Sequence, residues 1–408
     1  MSTSCSGSAT SAREFKPASR WYRRGKYLVP IDGRWWFDWP ASAPRQRVKL
    51  AELAASDARV NVQSVGDAES LPEWRYGCYH QGQFEERTLP GVTAIAPYVA
   101  TLRNGRSYGR QCCVIAPGGE AVGETGSYVP GFSKEHADPL TPFSFRYWRK
   151  RWDGDVTSRF WLPPKQTIRG RVAVLNTLHS HNYYHWLCDI LPRLSSLRRA
   201  GVAADYYLVD CLAAFQQQAL AALGIGKEQL IQPHCRLLLE ADELLVPSYP
   251  TPACWRHFGQ WLGDALCGGA PAMRSRRIYI SRTRTGKRGL ANEAELEPLW
   301  KQYGIEPQVM EAHPLAEQAR LVREAELIIA PHGAGLANLI FAQPGTQVIE
   351  IYPEHRQNPG HFPKLSRALS LQHQQILAPI QGFKQMLVCS FEDVAAAFSR
   401  ALSAQLTN

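Results

Sequence analysis

The chain has 408 residues, 45% of them apolar and 10% aromatic, and a formal charge of +10. That is enough for two or three domains with large cores, and it excludes global disorder. No run approaches the ~20 apolar residues of a membrane helix, and the Ser-, Thr- and Ala-rich start lacks the apolar segment of a secretory signal, so a cytoplasmic address is expected.

Residues 1–60 have no clean period and are read as an N-terminal appendage. Arg23, Arg24 and Lys26 stand there beside Trp21, Tyr22, Trp35, Trp36 and Trp39. Such a segment suits a peripheral contact with the inner face of a membrane, but the preferred reading is a basic, aromatic edge packed on the first domain. The basic residues form no long run, and nucleic acid is not an expected partner. Residues 60–165 alternate short β-type runs with Gly and Pro turns, as at 92–99 and at 111–116 before Pro117-Gly118-Gly119. They predict a small, mostly antiparallel β-rich extension.

From residue 171 strand and helix patterns alternate. Strands are expected at 171–176, 206–210 and within 237–246, and helices at 183–199, 215–223 and 252–266. Alternation of this kind means βαβ units and a parallel sheet. Gly268-Gly269-Ala270-Pro271 then marks a domain boundary. Beyond it strands are expected at 277–281, 307–310, 327–330 and 347–351. Helices are expected from an Asn292 cap to Gly304, at 315–325, at 336–342, and at 394–402 after a Ser390-x-x-Asp393 capping box. The organisation is thus an appendage (1–60), a first domain (61–269), a second α/β domain (270–385) and a closing helical segment (386–408). Two such domains imply a cleft, with ligands where strand C-termini meet helix N-termini.

Four groups of residues fall at such points. Pro331-His332-Gly333-Ala334-Gly335 joins an apolar strand to a short helix. Its glycines allow close backbone approach and the helix start offers unpaired amides, which suits phosphate; a tight turn around a buried His is the plain alternative. No Lys-Ser or Lys-Thr follows, and Asn338 leaves the dinucleotide fingerprint incomplete. Ser281 and Arg282 end the strand before it, with Arg284, Lys287 and Arg288 close behind, as a diphosphate would need. Glu350 ends the next strand, where a carboxylate can accept ribose hydroxyls or pair with an arginine.

The fourth group is Asn182-Tyr183-Tyr184-His185-Trp186-Leu187-Cys188-Asp189, with Pro192-Arg193 after it. His185 and Asp189 share a helical face, as general-base work needs. The pair could instead be structural, with Asp189 tied to Arg193. His179, His181 and His185 mimic a metal cluster without a zinc spacing. Asp153-Gly154-Asp155 follows Arg149-Lys150-Arg151-Trp152 and reads as a surface turn. The ten cysteines form no framework and no C-x-x-C pair, and are read as reduced, mostly buried thiols. No metal or cofactor is expected.

These runs resemble, in order, three signatures of glycosyltransferase family 61. The first is Asn182 to Arg193. The second is Ile278-Tyr279-Ile280-Ser281-Arg282 with Arg288 and Asn292-Glu293. The third is Pro331 to Asn338 with Phe341-Ala342-Gln343-Pro344-Gly345 and Val348-Ile349-Glu350. The resemblance covers about residues 170–355. It implies a GT-B fold of two Rossmann-type domains facing a cleft, inversion at the anomeric carbon, a UDP-sugar donor and no obligatory metal. The family includes eukaryotic xylosyl-, arabinosyl- and N-acetylglucosaminyltransferases and bacterial capsular polysaccharide biosynthesis proteins. Without a recognisable anchor or luminal disulfides, the bacterial, cytoplasmic branch is the expectation.

The resulting reading is an inverting, metal-independent transferase. It would move sugar from a UDP-sugar to a glycan or lipid-linked glycan in capsular, exopolysaccharide or lipopolysaccharide synthesis. Donor contacts would come from Ser281, Arg282, Arg288, His332, Gly333, Ala334, Gly335, Asn338 and Glu350, with His332 also catalytic. Asn182, Tyr183 and Trp186 would face the acceptor, and Asp189, ahead of His185, would take its proton. The rivals are a non-catalytic module binding nucleotide or polyanionic glycan, and a metal hydrolase built on His179, His181 and His185.

Overall fold

Val172–Leu175 and Leu327–Ala330 are each at most 1% exposed, as strands covered on both faces must be. The computed structural model describes residues 43–44, 47–123, 156, 162–177, 179–269, 273–355 and 360–403. The basic, aromatic start and Asp153-Gly154-Asp155 lie outside them. The fold is mixed α/β, with two sheets built around parallel strands.

In the first sheet Gln166–Val174 lies parallel to Tyr206–Leu208 on one side and to Leu238–Pro247 on the other. In the second, Arg276–Ile280 pairs in parallel with Glu306–Gln308 and with Ala325–Pro331. Gln347–Pro353, Gln372–Ala378 and Trp74–His80 follow, also in parallel. Apart from Glu69–Leu71 and Val92–Ala94, which pair only with each other, the short strands of 60–122 therefore do not stand apart as an extension. Tyr98–Arg103 and Arg106–Tyr108 join the first sheet antiparallel to Leu238–Pro247, while the hairpin of Trp74–His80 and Gln83–Leu89 edges the second. Their patterns marked them as strands but could not say which long strand each would meet.

Residues alternate between two apolar clusters across the second sheet. Ile278, Ile280, Ile328 and Ala330 face helices that also pack on Ala173, Leu175 and Leu245 of the first sheet. Tyr279, Leu327, Ile329 and Ile349 face Leu299, Trp300 and Phe398. The helix Pro252–Cys267 serves the shared cluster. Thr251 caps its start, Pro252 takes its first turn and Gly268, at φ 82°, ends it. A Cβ on Gly259 would lie 2.1 Å from the Ile340 carbonyl oxygen, so glycine is what lets this helix lie against the 3-10 helix Ala334–Phe341. No helix among the described residues is long and apolar enough to cross a membrane.

Two end signals act differently from expectation. Asn292 bonds the Cys389 backbone in both directions instead of capping its own helix, which opens as a 3-10 turn over Glu293–Leu296. Asp393 turns its carboxylate to the Gln81 and Gly82 amides, leaving the Ser390 capping box half formed.

The helix expected over 183–199 is broken, and Pro192 explains it. Proline has no N–H, so the Cys188 carbonyl loses its α-helical donor. Trp255 Nε1 donates to that oxygen at 2.6 Å. The backbone widens into a π turn over Trp186–Ile190, with Leu191 N donating to Trp186 O at 3.0 Å. Helix resumes at Arg193–Arg199. Arg193 is 4% exposed and points its guanidinium at the Leu175 and Pro247 carbonyls, 2.9 and 2.5 Å away. It thus clamps two neighbouring strands at their C-terminal ends and is not the partner of Asp189. Burial pushes its pKa down. Arg193→Ala strands those acceptors and should lower unfolding free energy by about 3 kcal/mol or more in denaturant titration, with Arg193→Lys recovering little of it.

Candidate functional site

The C-terminal ends of Arg276–Ile280, Ala325–Pro331 and Gln347–Pro353 come together because these strands are parallel neighbours. His332 leaves the middle one. Its Nδ1 lies 2.6 Å from Glu350 Oε1. Glu350 is 0% exposed, and its other oxygen takes Gln375 Nε2 at 2.8 Å and His373 Nε2 at 3.2 Å. Ser366 Oγ sits 2.9 Å from His373 Nδ1 and completes the chain. Burial alone would raise the Glu350 carboxyl, but the bonds from His332 and His373 outweigh it and hold it down at about 2. The carboxylate expected to meet a ribose is instead sealed beneath the loop, where it fixes the His332 ring. An anion there makes Nδ1 the donor and fixes the tautomer of the ring. Tyr352 and Phe362 wedge the ring edge-on at 4.9 and 5.4 Å.

Arg282 crosses to this loop from the adjacent strand end. A Cβ on Gly333 would sit 2.0 Å from Arg282 Nη1, so the glycine exists to let the guanidinium lie on the backbone. Arg282 is 8% exposed; burial, then the nearby Arg288 cation, push its pKa down. Arg288 is half-buried, in the left-handed region at φ 54°. Ala334 and Gly335 open the 3-10 helix half-exposed, with the amides of a helix start. Two expected donor residues turn away. Ser281 Oγ donates to Glu293, which also accepts from Tyr279. Asn338, 0% exposed, bonds the Gly335 carbonyl and Gln318.

On the other side, His185 Nδ1 meets Asp189 Oδ2 at 2.6 Å, both about a quarter exposed. The π turn carries this carboxylate, a setting common at functional sites. His179 lies against His185 with ring centres 4.9 Å apart and planes tilted by 32°, and Tyr184 packs against His185, His361 and Phe362. His361 is depressed by burial and feels Asp189, His185 and His332 together, which places it between the two halves. Nothing in the sequence patterns singled it out, since it lies alone after the third signature and is joined to the others only by the fold. The residues expected to face an acceptor are otherwise engaged. Asn182 caps its own turn by accepting from Tyr184 N, and Trp186 is 0% exposed and bonds the Asp210 carbonyl. Tyr183 donates to Asn338 Oδ1 at 2.6 Å, tying the two halves together. Among the described residues no three His, Cys, Asp or Glu side chains gather as metal ligands do, and no disulfide forms.

The Glu350 carboxyl, free at 4.5 and held at about 2, stabilises the fold fully above pH 4.5, and the gain is lost as pH falls toward 2. The difference corresponds to roughly 3 kcal/mol at neutral pH. Glu350→Gln should therefore be less stable than the parent at pH 7, with the gap closing between pH 4.5 and 2 in denaturant midpoints.

The sequence is similar to known proteins. Residues 183–349 match the family model described as Glycosyltransferase 61. The chain is similar to the beta-1,2-xylosyltransferase XAX1 of Oryza sativa subsp. japonica, 27% identical over 238 residues, 55% of this chain and 39% of that protein. It is similar to the beta-1,2-xylosyltransferase RCN11 of the same plant, 40% over 65 residues, 16% of this chain and 12% of that one. It is also similar to the protein O-linked-mannose beta-1,4-N-acetylglucosaminyltransferase 2 of Mus musculus, 33% over 113 residues, 26% and 19% of the two chains. The chain thus spans well under half the length of these relatives. The family match and the relatives together support glycosyltransferase family 61 as the relation of residues 183–349, the stretch that holds Asp189, Arg282 and His332.

Proposed function

We propose that the protein is an inverting glycosyltransferase with a GT-B-like arrangement, taking sugar from a UDP-sugar and passing it to a glycan acceptor. The observation that carries this is the meeting of a buttressed His332 and a buried Arg282 with the His185–Asp189 pair around His361 and Tyr184. The similar proteins named as xylosyl- and N-acetylglucosaminyltransferases support the reaction class. Surface polysaccharide of the capsular, exopolysaccharide or lipopolysaccharide type is the acceptor the signatures suggest, at the inner face of a membrane if it is lipid-linked.

In this reading the acceptor oxygen attacks the anomeric carbon from the side opposite the diphosphate, and the sugar–phosphate bond breaks. The negative charge left on UDP falls on Arg282, Arg288, His332 and the amides opening the 3-10 helix, without a metal in the step. The acceptor proton goes to the His185–Asp189 pair. Their 2.6 Å bond favours His185 as its seat, with Asp189 holding the tautomer, the reverse of the order expected from sequence.

UDP should bind, and chelator should not abolish it. At ~100 times Kd the stabilisation should be about 2.7 kcal/mol, read as a rise in melting temperature. A rise with NAD and none with UDP would overturn the donor assignment. Arg282→Ala should weaken UDP roughly tenfold to a hundredfold while the apo protein stays folded.

His185→Ala should lower turnover of the active UDP-sugar by about 10²–10⁴-fold, with UDP affinity unchanged. Asp189→Asn should follow it in direction. Parent-like rates in both folded variants would remove the pair from the mechanism.

A further inference from the structure

A second concave site lies between the helices Arg193–Arg199 and Pro252–Cys267, with a volume of about 660 Å³. That is within the ~300–1,000 Å³ range of small-ligand sites. Its lining includes Arg198, Arg199, His257, Gln260, Trp261 and Asp264. The charges do not cancel. Asp264, the acid among these, is already held by Arg323 at 2.8 Å. Neither Arg198 nor Arg199 has a carboxylate partner among the described residues, and neither His257 nor Gln260 makes a side-chain hydrogen bond there. Burial, then Arg199 and Arg256, push the His257 imidazole down, as a positive local potential must.

Both arginines are exposed, and each guanidinium rests on a neighbour. Arg198 lies over the Trp261 ring, 4.7 Å from its centre. Arg199 lies on Gly66, where a Cβ would meet Nη2 at 2.5 Å. Two neighbouring guanidinium forks without carboxylate partners suit carboxylate groups, since a guanidinium binds them through paired donors. The half-buried indole offers apolar surface, and His257 and Gln260 offer polar groups for hydroxyls. Arg198 is nine residues beyond Asp189 along a mostly helical path, about 14 Å away at helical rise.

We propose that this groove is a subsite for an acidic saccharide, holding a carboxylate-bearing stretch of the acceptor apart from its reacting end. Assigning that stretch to the acceptor rests on the transferase reading; the binding chemistry does not.

The test is calorimetric titration of the full chain with galacturonate tetrasaccharide, its fully methyl-esterified form, inorganic phosphate, and a single-stranded tetranucleotide. The acidic tetrasaccharide should bind at least tenfold more tightly than the ester and than the other two probes. Arg198→Ala and Arg199→Ala should each weaken it roughly tenfold. Both should leave melting temperature, UDP affinity and the slow release of UDP from a UDP-sugar unchanged. Trp261→Phe should keep the preference for acid over ester, because the forks remain. Equal binding of ester and acid, tighter binding of the tetranucleotide, or parent-like affinity in both arginine variants would overturn the subsite. Arginine-dependent binding of the acidic probe in a chain that ignores UDP would keep the subsite and remove the transferase reading.

Discussion

A carboxylate with no access to water sits at the middle of the second sheet, and the arrangement around it follows from keeping it charged. An ionised group at 0% exposure costs several kcal/mol unless donors surround it. Glu350 finds them on both flanks, because parallel register sets Ala330 beside it on one side and Gln375 on the other. His332 continues the first flank, and His373 and Gln375 stand on the second. A slip of one residue in either neighbour would turn those donors to the opposite face and leave the charge alone. The charge therefore pins three strands in register and fixes the orientation of one imidazole at the loop. Arg282 lies on Gly333 of the loop that this histidine opens.

The other half of the site depends on an omission. Pro192 supplies no N–H, the Cys188 carbonyl passes to Trp255, and the turn carrying Asp189 widens. Trp255 belongs to the helix whose Gly259 touches the Ile340 carbonyl in the helix that starts beside His332. One helix thus supports both the carboxylate–histidine pair and the cationic loop. Its tryptophan and its glycine matter to the site although neither points into it.

Much of this was legible in the residues. Strand and helix alternation beyond 171 gave most of the parallel strands to within a residue or two, though the first begins at Gln166, five residues earlier than its pattern, and Gln372–Ala378 carried no signal that was read; the three signature runs do converge in space. His185 with Asp189, and Arg282 with His332 and Gly333, were recoverable from spacing at strand and helix ends. Burial was not. Glu350, Asn338, Ser281 and Trp186 have the chemistry of ligand contacts, but the fold spends their polar groups on internal partners. Whether a side chain at a strand end faces solvent or a neighbouring histidine depends on the next strand, here one 23 residues away at His373. The partners of the early strands 74–80 and 98–103 were hidden for the same reason, since pairings across more than a hundred residues leave no local trace. His361 needed the fold to be seen at all.

The same contacts limit how the site can move. Leu175 and Leu245 share one apolar cluster with Ile280 and Ala330, so the two sheets are joined by packed side chains across their facing helices. Tyr183 adds a hydrogen bond from the first half to Asn338 in the second. Separating the halves as rigid bodies would expose that cluster and strand the buried Asn338 amide, each at a cost of kcal/mol. Adjustment to a ligand falls more easily on segments with few such contacts, and the exposed run Thr283–Lys287 beside Arg282 is one. It carries Arg284 and Lys287, so its movement would change the positive charge beside Arg282. The rigid partners, His332 over Glu350 and His185 against Asp189, would meanwhile keep the geometry on which the proposed proton transfer and charge stabilisation rest.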